Sequence, residues 1–175
     1  GQMSASALDS KLSLLSDWVN AGGTLVVFRP DASDAGLKAM LGITSTGGTL
    51  ADAYLKVNTA EGTPGAGIVD ETIQFHGTAD LYTLSGATAL ATLYTNAEDA
   101  TTGNNPAVTI NSVGSNGGKA AAFTYDLARS VVYTRQGNPA YEGQKRDNEI
   151  PPIRYDDLFY TDYVNLDKVA IPQIG

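Results

Sequence analysis

Leu8, Leu12, Leu15 and Val19 recur at helical spacing, and Leu14 and Trp18 widen the stripe they form. Ser6 followed by Asp9 makes a capping box ahead of that stripe, with a hydroxyl and a carboxylate placed to satisfy free amides at a helix start. Gly22 and Gly23 end it, because glycine tolerates the left-handed backbone a helix stop requires. The next segment, TLVVF at Thr24–Phe28, is continuously apolar and β-rich, which predicts a strand covered on both faces. A helix running into a short apolar strand is the repeating half-unit of an α/β domain.

The pattern predicts a second helix over 33–41. Ser33 is its cap, Leu37, Met40 and Leu41 form its apolar face, and Gly42 is its stop. Beyond it, glycine and threonine dominate, and shorter alternating runs predict strands near 53–57, 72–76, 89–94, 107–113 and 119–125. The turn residues SNGG at 115–118 join the last two runs as a hairpin, so the C-terminal strands are partly antiparallel. Leu127, Val131 and Val132 line a short helix that Gly137 ends. The expected organisation is an α/β domain over 1–137 and an extended tail or interface segment over 138–175, rich in Pro, Asp and Tyr. Only one helix-strand unit of the parallel kind is legible. The open sheet is therefore expected to lack N-terminal strands, which either precede residue 1 or come from another chain. Gly1, Gln2 and Met3 read as a cut end or a cloning remnant rather than a natural start.

Composition narrows the chemistry. The 175 residues can bury one ordinary core, and charged residues are too few, at 17%, for a disordered chain. A net charge of -8 argues against a nucleic-acid surface or a polybasic membrane patch. No apolar run reaches membrane-spanning length. The absence of cysteine removes disulfides, thiolate metal sites and a cysteine nucleophile together. With a single histidine, no metal site and no cofactor are expected. The glycine pairs match no phosphate-loop pattern and read as punctuation.

Candidate ligand-binding residues follow from position. Arg29 and Asp31 flank Pro30 at the exit of the best strand, and ligands of open α/β sheets sit outside the carboxyl ends of strands. Arg29 suits an anionic or sugar ligand, while capping of the following helix is enough to explain Asp31. Asp126 and Arg129 follow the strand that ends near Tyr125 and share that edge. His76 ends an alternating run and is read either as a base or ligand or as a histidine hydrogen-bonded at a strand end. In the tail, Asp156, Asp157 and Asp162 interleave with Tyr155, Phe159, Tyr160 and Tyr163. Such groups bind calcium or sugars in other settings, but their spacing fits no calcium loop.

Four blocks carry a family likeness: DWVNAGGTLVVFRPD, LKAMLGI, IQFHGTADLYTLSGATALATLY and NPAVTINSVGSNGGKAAAFTYDLARSVVY. Together, over roughly residues 8 to 135, they resemble the class I glutamine-amidotransferase-like superfamily. The nearest likeness is to its non-amidotransferase branch, with trehalose-utilisation-like domains and the trimerisation domain of some β-galactosidases. IQFHGTADLYTLSGATA and YDLARSVVYTRQGNP also resemble the amidotransferase-like domain of large secreted bacterial proteins with a polysaccharide-deacetylase-like region. The likeness implies a flavodoxin-like open sheet with flanking helices, and an extracellular or periplasmic setting. Members that hydrolyse glutamine use a Cys on a strand-to-helix elbow with a late His-Glu pair. None of these catalytic positions has a counterpart here, so no catalytic residue is carried over.

The expected function is a non-catalytic domain for assembly or carbohydrate-linked binding in a larger bacterial protein. Its expected partner is another domain or chain, a second copy included. The rival is a hydrolase of a glycan or amide using His76 with Asp80, or the Asp156/Asp157 pair. A simple sugar-binding module is the third option; it needs exposed Tyr or Trp platforms, and Trp18 on a helix core face does not supply one.

Overall fold

The computed structural model describes residues 5–136. The tail segment over 138–175, with its acidic and aromatic cluster, lies outside the described residues. In chain order the elements are α1 (Ala5–Asp9), α2 (Leu12–Asn20), β1 (Thr24–Phe28), α3 (Ala35–Leu41), β2 (Ile43–Ala51) and β3 (Tyr54–Val57). They continue with β4 (Thr72–Gln74), β5 (Thr78–Leu84), β6 (Thr88–Tyr94), β7 (Pro106–Val113), β8 (Gly118–Phe123) and α4 (Leu127–Gln136). The fold is α/β. A six-stranded mixed sheet runs β1-β8-β7-β6-β3-β4, and β2 and β5 form a separate two-stranded ribbon. Among the described residues only β1 and β8 pair in parallel; the other neighbours, the β7–β8 hairpin included, are antiparallel.

Internal contacts divide the chain into two compact units. The first holds both sheets and α1–α3; the second holds Phe75–Gly77 and α4. Within the second unit, the His76 amide donates to Ser130 Oγ at 3.0 Å, which ties the Phe75–Gly77 segment to α4. Thr134 Oγ1 donates to the Ser130 carbonyl at 2.8 Å, one turn back along that helix.

The core of the first unit lies on one side of the large sheet. Val19 of α2 and Leu37, Met40 and Leu41 of α3 pack with Leu25 and Val27 of β1, Ala120 and Ala122 of β8, and Tyr82 of β5. Strand side chains alternate between faces, so Thr24, Val26 and Phe28 point the other way; Val26 is 51% and Phe28 44% exposed. The expectation that TLVVF is covered on both faces is thus corrected. β1 is an edge strand, and α2 and α3 pack on one side of it.

The first helix also departs from expectation. It is two helices, broken where Lys11 N–H donates to the Leu8 carbonyl at 2.8 Å, and Ser6 lies inside α1 rather than capping it. In the shorter α2, Val19 is fully buried while Leu14 and Trp18 are exposed. Trp18 is therefore no core residue. Its ring lies over Gly23, where an added Cβ would stand 2.5 Å from ring carbons.

The cap of α3 is Asp34, not Ser33. Its Oδ1 accepts from the Leu37 amide at 2.8 Å, and Gly42 closes the other end with φ 66°. Replacing such a cap with alanine costs about 1 kcal/mol. We expect Asp34→Ala to lower the urea midpoint accordingly and Asp34→Asn to leave it nearly unchanged.

Candidate functional site

The carboxyl end of β1 is tied to the start of β5. Arg29 holds a left-handed backbone, φ 45°, which costs a non-glycine residue about 1–2 kcal/mol. Three contacts hold it there. Its amide donates to the Phe123 carbonyl at 2.8 Å, Nε donates to Asp80 Oδ2 at 2.9 Å, and Nη2 donates to Asp80 Oδ1 at 3.2 Å. The hydrogen bond to Asp80 is the main reason the guanidinium pKa is raised, with smaller contributions from the charges of Asp80 and Asp126. Asp80 is fixed in turn by its own amide, which donates to the Thr124 carbonyl at 3.0 Å beyond β8. Next door, the buried Tyr82 hydroxyl donates to the Pro30 carbonyl at 2.9 Å. Phe28, Phe123 and Tyr125 extend the edge as two successive edge-to-face contacts. A fork on a carboxylate is a tight mutual lock. Arg29 is a partnered structural cation first.

Asp31 is exposed; its Oδ1 accepts from the Ser33 hydroxyl at 2.7 Å and the Ser33 amide at 2.8 Å, which holds its carboxyl below the usual range. It makes a local turn rather than the helix cap. Asp126 ends the first unit, within electrostatic reach of Arg29. His76 and Arg129 belong to the second unit, His76 buried and Arg129 exposed on α4. Asp80, the carboxylate offered to His76 in the hydrolase reading, commits both oxygens to Arg29. Among the described residues no group of His, Asp and Glu side chains could hold a metal ion.

A second feature lies at the opposite end of the large sheet and was not legible beforehand. Lys56, Asp70 and Tyr94 are shared by two adjoining open troughs of about 570 and 420 Å³. The missing information was the register that sets Tyr54 opposite Tyr94 and Lys56 opposite Thr92.

The buried tyrosines at the carboxyl edge carry a pH prediction. Burial pushes the Tyr125 hydroxyl up to about 12 and also raises Tyr82. A raised phenol keeps its proton in the native state after the unfolded chain has lost it. Stability is then intact below pH ~10 and falls at about 1.4 kcal/mol per pH unit for each tyrosine above it. For Tyr125 that decline runs to about 12. Urea midpoints measured across that alkaline window should fall steeply, and Tyr82→Phe should make the slope shallower.

No family model and no curated protein matches the chain. Solved structures do. An exo-β-1,4-mannosidase from Opitutaceae bacterium strain TAV5 is 17% identical with a TM-score of 0.51, over 70% of this chain and 20% of that one. A β-galactosidase from Bacillus circulans sp. alkalophilus is 14% identical with a TM-score of 0.49, over 69% of this chain and 20% of that one. One from Rahnella sp. R3 is 23% identical with a TM-score of 0.47, over the same shares. The likeness to the mannosidase is one of fold. The chain spans about a fifth of the length of the glycosidases it matches.

Proposed function

We propose that this chain is a non-catalytic α/β domain serving assembly within a larger, carbohydrate-linked bacterial protein. The observation that carries the reading is the outer edge of β1. Gly23 accepts from Lys119 and Arg29 donates to Phe123, so the inward backbone groups of the parallel ladder belong to alternate residues. Thr24, Val26 and Phe28 therefore turn their N–H and C=O groups outward, at the edge of the sheet. Edge strands ordinarily carry a charge, a proline or a bulge that discourages pairing. TLVVF has none of these, and its outward side chains are exposed. Such an edge is suited to a further parallel strand, as in a flavodoxin-like sheet completed from elsewhere in the assembly.

Two further points support the reading. The solved chains of similar fold are glycosidases about five times longer than the matched part, and the sequence beyond 137 is rich in the Tyr and Pro that suit an interface. The resemblance to the non-amidotransferase branch, with its β-galactosidase trimerisation domains, fits the same role. Sedimentation velocity tests it. The chain should self-associate across the micromolar range through the outward edge of β1, and Val26→Lys should return it to monomer. A chain that stays monomeric throughout would count against assembly.

A further inference from the structure

We propose that the β3–β4–β6 end of the large sheet binds a neutral oligosaccharide, with Tyr94 as the platform for a sugar ring and Lys56 with Asp70 as its hydroxyl-binding pair. The proposal rests on the carbohydrate-linked part of the reading above, and is independent of the β1 edge.

The antiparallel registers Tyr54↔Tyr94, Lys56↔Thr92 and Lys56↔Thr72 put two tyrosines, a lysine and two threonines on one face. Leu55 and Leu93 lie on the other face, buried, and hold the strands in place. Tyr94 is half-buried, so the sheet fixes its ring while leaving part of it open. A sugar presents an apolar C–H face and a rim of hydroxyls. A fixed aromatic flanked by polar groups suits both.

Both walls are ordered before any ligand arrives. On one side, Asn58 N–H donates to the Leu90 carbonyl at 2.7 Å, its Oδ1 accepts from Ala60 N–H at 3.2 Å, and Thr63 Oγ1 donates to the Asn58 carbonyl at 2.9 Å. Gly65 seats that loop so closely that an added Cβ would stand 2.3 Å from the same carbonyl. On the other side, Asn96 Oδ1 accepts from the Glu98 and Asp99 amides, each at 2.8 Å. Thr72 Oγ1 then pins the loop to β4 through the Ala97 carbonyl at 3.0 Å. Preformed walls reduce the ordering cost that weakens glycan binding.

Charge sets the ligand class. Lys56 Nζ stands 3.4 Å from Asp70 Oδ1, wider than the ~2.7–2.9 Å of a tight charged hydrogen bond. A hydroxyl fits that loose pair well, accepting from the ammonium and donating to the carboxylate. Asp70, Glu71 and Glu98 outnumber Lys56 along the second trough. That balance repels uronates, sulfated sugars and phosphates, and leaves neutral sugars as the occupants. Two adjoining lobes that share Tyr94 match a short linear chain better than a single ring.

The test is residue-resolved NMR titration of the full chain with β-1,4-mannotriose, β-1,4-galactotriose and trigalacturonate as probes. At least one neutral trisaccharide should shift amides around 54–60, 70–72 and 90–98, while trigalacturonate shifts none of them. Tyr94→Ala should weaken binding by about tenfold or more, and Lys56→Met by severalfold. The Lys56 side chain is 40% exposed, so the second variant tests the site without opening the core. Neutral sugars that leave those amides unmoved, or Tyr94→Ala binding as wild type, would overturn the proposal. Shifts confined to another surface would sink the trough but spare the carbohydrate-linked reading; no shift anywhere would sink both.

Discussion

Gly118→Ala should abolish or severely weaken folding, although alanine is the smallest change available. At the start of β8, a Cβ on residue 118 would stand 2.0 Å from the Val19 carbonyl oxygen and 2.8 Å from that of Val113. Both atoms are backbone, so no side chain can rotate away. Relief requires α2 to move off the sheet, and α2 contributes the fully buried Val19. Overpacking a tight interior costs about 1–3 kcal/mol, and a clash against two fixed carbonyls belongs at or above the upper end. The comparison is Gly117→Ala, where an added Cβ meets nothing within 4 Å and only a positive backbone angle, φ 81°, is at issue. Thermal melts of the pair should show a far larger loss at 118 than at 117. Equal losses would mean that turn conformation, not close approach, decides this corner.

Tyr82→Ala should be the costliest single substitution in the core. Among the described residues Tyr82 is the largest fully buried side chain, and it joins three parts of the first unit. Its ring sits among the residues under α2 and α3, its hydroxyl donates to the Pro30 carbonyl at 2.9 Å, and its own carbonyl accepts from Asn105 Nδ2 at 2.9 Å. Removing a buried aromatic ring costs about 3–5 kcal/mol. Removing the hydroxyl alone, as in Tyr82→Phe, leaves the Pro30 carbonyl without its donor and costs about 1–2 kcal/mol. Chemical denaturation of the two variants separates ring volume from hydrogen bond. If Tyr82→Phe cost as much as Tyr82→Ala, the carboxyl edge would be held by the bond rather than by packing.

Much of the fold can be read from residue order because local and tertiary preferences agree there. The run TLVVF, the stop at Gly42 and the SNGG hairpin each specify one backbone outcome, and each is found. The strands predicted near 53–57, 72–76, 89–94, 107–113 and 119–125 all have counterparts within a few residues. The ribbon of β2 and β5 could not be read. ITSTGGTLA places two glycines at a register shift and turns polar residues outward, which hides its alternation. The face of Trp18 was misread for a different reason. A break at Lys11 shortens the helix, and Gly23 gives the indole a place to lie outside the core. Glycines at 117–118 looked like turn punctuation only; Gly118 also permits a helix end to meet a strand.

The candidate sites divide along the same line. Arg29 was legible because a strand exit is a position along the chain. Its partner Asp80, 51 residues away, depends on the unread β5. Tyr94 with Lys56 and Asp70 depends on cross-strand register, which composition does not encode.

The most direct test of the assembly reading is amide hydrogen exchange along β1 at low and high protein concentration. In dilute solution Leu25, Val27 and Arg29 should be protected by β8 while Thr24, Val26 and Phe28 exchange quickly. As the chain associates, protection should spread to the second set and should fail to do so in Val26→Lys. Thr24, Val26 and Phe28 exchanging quickly at every concentration, in a chain that nonetheless associates, would show that β1 is not the seam.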